Sequence, residues 1–297
     1  MKLIPLPLIL PLVLASSAVT VTVHAQTAIA PSIESGWITF PAQTLKESGT
    51  AVRGDLKLPA TSPSTERVPA VVIIHNSGGL QDRTGAGYVK VLNDAGIATL
   101  ELDLFPRGNR PSTTRENLPH TFGSLVFLAA HPRIDPARIG IMGFSWGGIL
   151  SLVSASTEVA NAYVAAPPKF AAHLALYPVC SAQLGVVRGT SRSYPASTYQ
   201  AMTGAPVLIL AAEKDDYDKP DSCQQFLDAL SETARAHISL TVYRGVGHGW
   251  DTQENRTYMD NAAREGRGGY VTHSRDDAVA KESQKTAVQF FTQSFGR

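Results

Sequence analysis

The sequence predicts an α/β fold: a mostly parallel central sheet with helices on both of its faces. Three observations carry that prediction. From residue 68 onward, short apolar runs bounded by turn residues alternate with stretches of helical period. Those runs are almost continuously apolar, as strands covered on both faces require. Between one such run and a helical stretch lies GFSWG, Gly143 to Gly147. A serine flanked by glycines at that point fits a very tight strand-to-helix turn, where larger side chains would collide with the neighbouring strand and helix.

The chain begins differently. Met1 and Lys2 precede a short apolar stretch, LIPLPLILPLVLA, which leads into small residues before Ala25. This reads as a secretory signal covering residues 1–25, cut before Gln26, with a cut after Ala18 as the second option. The apolar stretch is brief and carries Pro5, Pro7 and Pro11, which argues against a spanning anchor. Residues 26–297 then make one α/β domain, long enough to bury a large core. The chain holds 26 basic and 25 acidic residues, and loss of Lys2 brings the balance to zero. With no block of like charge, neither nucleic acid nor an anionic membrane is expected as main partner.

The elements follow in order. Residues 37–58 alternate well enough for two antiparallel strands, turning at Glu47-Ser48-Gly49-Thr50. Strands are expected at 68–74, 97–102, 138–144, 171–177, 206–212 and 238–243, the last being the final one. Helices are expected at 88–95 (ended by Gly96), 118–130, 146–154, 222–234 and 276–293. The polar stretch 183–204 lacks a period and reads as a cover loop with some helix, a candidate for shaping a substrate site. In such sheets ligands bind beyond the carboxyl ends of the strands.

That edge is where the chemistry collects. A nucleophilic serine needs a base, a carboxylate to hold the base, and donors for a developing oxyanion. Ser145 follows the 138–144 run, an acidic loop from Glu213 to Asp216 follows 206–212, and His248 sits among glycines after 238–243. The order serine, acid, histidine is that of α/β-hydrolases. His273, in a charged segment further on, is a distant second for the base. Asp215 is the preferred acid and Asp216 the alternative, because one residue of loop slack exchanges them. The oxyanion donors are the backbone amides of Trp146 and of Ser77, in the loop after 68–74. His75, at that strand's end, suits a structural hydrogen-bonding role.

Taken together, VVIIHNSGGL, LELDLFPRG, IGIMGFSWGG, LALYPVC, PVLILAAEKDDYDKPDSC and YRGVGHGWD resemble the dienelactone hydrolase family of α/β-hydrolases. The resemblance runs from about residue 68 to the C-terminus. It implies an α/β-hydrolase fold and a Ser145–Asp215–His248 triad with Ser77 and Trp146 as oxyanion donors. The family's founding enzymes use cysteine as nucleophile, so Ser145 points away from dienelactone itself and toward serine-bearing, exported relatives. The acid motif is one residue longer before Pro220 than the family's spacing, which keeps Asp216 open. Arg107 resembles a recurring family arginine and either binds a substrate carboxylate or ties down its loop. Trp250 is expected to line the pocket, and Phe144 to be packing.

The implied activity is cleavage of a small-molecule carboxylic ester or lactone through an acyl-enzyme on Ser145, without metal or organic cofactor. The alternatives are a peptidase or acyltransferase with the same triad, or a secreted binding protein on a hydrolase scaffold. Export places Cys180 and Cys223 in an oxidising compartment, and neither shows metal-ligand spacing. In an α/β-hydrolase sheet the strands preceding them are neighbours, so a Cys180–Cys223 disulfide tethering the acid loop is expected. The sequence is silent on oligomeric state.

Overall fold

The computed structural model describes residues 35–43, 50–60, 65–164 and 167–296. The predicted opening pair is present as β1 (Gly36–Pro41) and β2 (Ala51–Lys57), which run antiparallel. Most of its expected turn, and the whole of the 1–25 leader reading, lie outside the described residues. The alternation follows as β3 (Val68–Ile74), α1 (Ala86–Asp94), β4 (Ala98–Asp103), α2 (Leu118–Ala130), β5 (Ile134–Phe144) and α3 (Trp146–Val153). Next come α4 (Thr157–Tyr163), β6 (Ala172–Leu176), α5 (Cys180–Val187), β7 (Val207–Lys214), α6 (Ser222–Asp228), α7 (Glu232–Arg235) and β8 (Ile238–Gly247). A small hairpin, β9 (Arg256–Met259) and β10 (Tyr270–His273), precedes α8 (Asp277–Ser294).

Among the described residues the main sheet has eight strands in the order β1-β2-β4-β3-β5-β6-β7-β8. Strands β3 to β8 are mutually parallel, and β2 joins antiparallel to β4. Side chains alternate between sheet faces with period two. Val71, Ile73, Met142, Phe144, Leu174, Leu176, Leu208 and Leu210 share one core with Tyr88 and Leu92 of α1 and Phe291 of α8. The intervening Val72, Ile74, Ile139 and Ile141 are fully buried too, on the face where α2 and α3 pack. Burial of both sets is why these strands read as unbroken apolar runs. Edge strand β8 keeps an exposed set and is the least apolar of the parallel strands.

Three local features differ from the sequence reading, and one agrees with it. The 222–234 helix is two helices, because Ser231 accepts the Ala234 amide and caps a new start. Ser156 likewise caps the unforeseen α4 through the Val159 amide. The 183–204 stretch is, as expected, a loop with some helix: it carries the end of α5 and a 3₁₀ turn at Ala196–Tyr199. The 238–243 strand is not the last: it runs on to Gly247, and the four-residue strands β9 and β10 follow. They lie in polar sequence where so short a period carries no signal.

Because β3 to β8 run parallel, the loops after β3, β5, β7 and β8 emerge at one edge. That brings Ser77, Ser145, Asp215 and His248 to a common rim.

His173, on β6, is completely buried beneath α3. Its Nδ1 lies 3.0 Å from the Ser151 carbonyl and 3.2 Å from the Ser154 hydroxyl. Burial pushes its pKa down from 6.5 to about 4. Between those values the unfolded ring takes a proton that the folded ring refuses. The His173 contribution is therefore full above about pH 6.5 and lost as pH falls toward about 4. Measured by urea unfolding, wild-type stability relative to His173→Gln should drop by on the order of 3 kcal/mol across that window. Parallel pH curves for the two proteins would refute a buried neutral imidazole.

Candidate active site

Ser145 lies at the junction of β5 and α3 with φ 50° and ψ −103°, a costly conformation for a residue with a side chain. Its amide donates to the Leu176 carbonyl at 2.9 Å, which pins the turn to β6. A Cβ on Gly143 would come within 2.3 Å of the Gly147 backbone, and one on Gly147 within 2.2 Å of the Ile74 carbonyl oxygen. The two glycines are thus what lets β5, α3 and the end of β3 converge.

Three side chains form one hydrogen-bonded line. His248 Nε2 is 2.9 Å from Ser145 Oγ, and His248 Nδ1 is 2.8 Å from Asp215 Oδ2. Ser145 is 7 % exposed, Asp215 5 % and His248 not at all. Asp215 Oδ1 also accepts the Tyr217 amide at 2.9 Å, which fixes the carboxylate plane. The chain can pass a proton from hydroxyl to imidazole while a buried carboxylate holds the ring. Asp216 is engaged elsewhere: its Oδ2 accepts the Thr272 amide of β10 at 2.7 Å. His273 stands 5.5 Å from His248 between ring centres and makes a 3.1 Å contact from Nε2 to the Tyr258 hydroxyl. Burial, then the neighbouring His248, push its pKa down to about 3.

The loop after β3 is built tightly. Asn76 Oδ1 accepts the Gly78 amide at 2.8 Å and the Asn76 carbonyl accepts the Gly79 amide at 3.2 Å. Those two amides are engaged within the loop itself. Ser77 lies on the wall of an open cavity of about 1060 Å³. Trp146 opens α3, where a first-turn amide has no intrahelical acceptor. Its buried indole donates to Asn117 Oδ1 at 3.0 Å. His75 donates from Nδ1 to the Asn76 carbonyl at 2.7 Å and accepts the Leu104 amide at Nε2 at 3.2 Å. Burial lowers its pKa, consistent with a neutral structural ring.

Arg107 lies on the cavity wall and is held to Asp82 Oδ1 by Nη2 at 2.6 Å. Arg256, on β9, also reaches Asp82, with Nη1 at 2.9 Å from Oδ1 and a second contact from Nη2 to Oδ2. Burial opposes ionisation of Asp82, but the hydrogen bonds and charge of Arg256 and Arg107 hold its pKa below the ordinary value. One carboxylate thereby joins the loops after β3 and β4 to the β9–β10 hairpin. Arg110, Tyr258 and Met259 complete much of the cavity lining. Arg110, Arg256, Asp82 and Tyr258 escaped the sequence reading, since their roles depend on a hairpin without a sequence signal.

Trp250 requires a correction. It is fully buried in the core cluster and its Nε1 donates to Ser283 of α8 at 3.2 Å, so it does not line the cavity. The chain after His248 turns inward and carries the Trp250 ring with it. Phe144 is fully buried, as expected of packing.

Cys180 and Cys223 are disulfide-bonded, 43 residues apart in sequence. Between them Asp218 Oδ2 accepts the Cys180 amide at 2.6 Å and Oδ1 the Ser181 amide at 2.7 Å. Burial, then the charge of Asp215, raise the Asp218 pKa to about 6. Among the described residues these three form the one cluster with metal-ligand proximity, and its sulfurs are already bonded to each other.

Comparison with known proteins places the geometry in context. A model of the dienelactone hydrolase family matches residues 57–295. A Bradyrhizobium protein described as "Probable 2-oxo-3-(5-oxofuran-2-ylidene)propanoate lactonase" is 24% identical over 216 residues, 67% of this chain and 80% of that one. Among solved structures, Thermogutta terrifontis esterase 2 phosphorylated by paraoxon superposes with a TM-score of 0.61 at 15% identity. That match covers 88% of this chain and 95% of the esterase. Est1E from Butyrivibrio proteoclasticus gives a TM-score of 0.58 at 16% identity, covering 89% of this chain and 100% of the other. At those identities the structural likeness establishes the fold.

The disulfide and Asp218 together tether the segment that carries Asp215. Cys180→Ser should lower thermal stability, by at most about 4 kcal/mol in the chain-entropy model. It should also reduce turnover more than substrate affinity. Unchanged melting and unchanged kcat would show that the bond leaves the acid loop indifferent.

Proposed function

The chain belongs to the dienelactone hydrolase family, and from that premise we propose that it is a serine hydrolase of small-molecule carboxylic esters or lactones. It is a hydrolase of the esterase and lactonase type. The observation that carries the finer reading is the continuous line Ser145 Oγ, His248 Nε2, His248 Nδ1, Asp215 Oδ2. In this reading His248 takes the Ser145 proton as Oγ attacks the carbonyl carbon. The oxyanion is met by the Ser77 and Trp146 amides. His248 then protonates the leaving oxygen, and the acyl-Ser145 ester is hydrolysed by water that His248 activates in turn. Asp215 holds the imidazole by Nδ1 throughout, so Nε2 always faces the serine.

The cavity beside Ser77 supplies the substrate space, and its wall carries the guanidiniums of Arg107, Arg110 and Arg256 with the exposed side chain of Met259. The lactone named for the Bradyrhizobium relative bears a carboxylate. Acidic esters and lactones therefore belong in the substrate panel, with Arg107 as the proposed contact. Residues 1–25 are proposed as a secretory leader and 26–297 as a single exported domain. The Cys180–Cys223 bond supports an oxidising destination. Among the described residues no helix is long and apolar enough to cross a membrane.

The test is a panel of p-nitrophenyl esters, lactones and amides assayed with wild-type and variant protein. Ester or lactone cleavage is expected, and Ser145→Ala or His248→Ala should lower kcat by about three to six orders of magnitude. Asp215→Asn should cost somewhat less, and Asp216→Asn little. Dominant amide cleavage would favour a peptidase. Near-normal activity in Ser145→Ala would refute the mechanism, and a crippled Asp216→Asn would reassign the acid.

A further inference from the structure

Asp251 is fully buried three residues beyond His248, and the proposed reaction makes no use of it. A carboxylate withdrawn this far from water persists only when its oxygens are well supplied with donors. Two tyrosines supply them. The Tyr177 hydroxyl donates to Oδ1 at 2.6 Å and the Tyr88 hydroxyl to Oδ2 at 2.7 Å. Tyr88, on α1, also meets Ser283 of α8 at 2.7 Å, and Ser283 accepts the Trp250 indole. The segment that follows His248 is thus bonded to the end of β6, to α1 and to α8.

Tyr177 is the link back to the catalytic rim. Its ring meets His248 edge-on at 4.7 Å between centres, with 64° between planes, and meets Trp250 at the same distance. Its backbone has φ 38°, a conformation that a bulky residue rarely adopts. The Tyr177 amide donates to the Leu210 carbonyl at 2.7 Å, so this unusual backbone is anchored in β7. The strain is located where it aims a phenol past the histidine and onto a buried carboxylate.

We propose that Asp251 is a positioning residue of this centre: through Tyr177 it fixes the orientation of His248, and its carboxylate favours the imidazolium that forms during turnover. The inference rests on the serine-hydrolase reading above. His248 meets Ser145, Asp215, Tyr177, the ring of Tyr217 at 4.6 Å, and His273. Asp251 meets Tyr177 and Tyr88, with the charge of His248 and the Tyr243 hydroxyl close by. Arg275 reaches the Asp251 carbonyl oxygen at 3.2 Å. Burial raises the Asp251 pKa, while the two phenols and His248 favour its ionised form.

The experiment compares wild type, Asp251→Asn and Tyr177→Phe on the best ester, with fluorophosphonate labelling of Ser145 followed in parallel. Asp251→Asn should lower kcat by about ten- to a hundredfold with KM within about twofold, as misorientation of a catalytic group does. The rising limb of its kcat/KM profile should move to lower pH by about half a unit, since a negative charge near the imidazolium is lost. Tyr177→Phe keeps the ring and loses only the hydrogen bond, so kcat should fall several-fold at unchanged KM; it carries the test if Asp251→Asn does not fold. Wild-type kcat and an unmoved pH limb in a folded Asp251→Asn, even with a lower melting temperature, would overturn the inference. So would a Tyr177→Phe protein with wild-type kcat. In either case wild-type labelling at Ser145 leaves the serine-hydrolase reading standing, whereas no labelling there removes that reading first.

Discussion

The backbone of Ser145 is the constraint on which the rest of the rim depends. A serine at φ 50° is tolerated only where the surroundings over-determine it. Here they do so by close approach: Gly147 packs on the Ile74 carbonyl, Gly143 on the Gly147 backbone, and the Ser145 amide is bonded to β6. Those contacts require β3, β5 and β6 side by side and parallel, which in turn requires helices on both faces. The hydroxyl is thereby presented at a sheet edge, with the loop after β3 beside it and His248 2.9 Å away.

A second theme is how many carboxylates the rim buries and how each is satisfied. Asp215 meets His248 and an amide, Asp218 two amides at the start of α5, Asp82 two guanidiniums, and Asp251 two phenols. Taking one partner from such a group leaves a buried charge uncompensated, so each acts as a fixed point rather than a net source of stability. Between them they tie the β3 and β4 loops to the hairpin, the acid loop to α5, and the His248 segment to α1 and α8. Each of these four carboxylates, withdrawn from water, has its own protein donors.

Much of this was legible in the sequence. Strands β3 to β7 were visible because burial on both faces makes them largely apolar, and Ser145, His248 and the acidic loop holding Asp215 and Asp216 because each follows a strand end. The Cys180–Cys223 pairing followed from adjacent strand ends. What stayed hidden was what period and motif cannot encode. Strands β9 and β10 are four residues long and half-exposed, so Arg256 and Tyr258 carried no sign of their place. Trp250, two residues past His248, turns into the core, where its indole meets Ser283 of α8, 33 residues away. Arg107 admitted two readings, and the buried Asp82 that holds it lies 25 residues earlier in the chain.

The central claim is that Ser145 carries the acyl group during turnover. Rapid quenching of the protein with a slowly hydrolysed p-nitrophenyl ester, followed by peptide mass spectrometry, tests it directly. The account predicts one acyl group per chain, on the peptide containing Ser145, formed with a stoichiometric burst of nitrophenolate and absent from His248→Ala. Steady turnover with no acyl-peptide, or an acyl group on another residue, would contradict it.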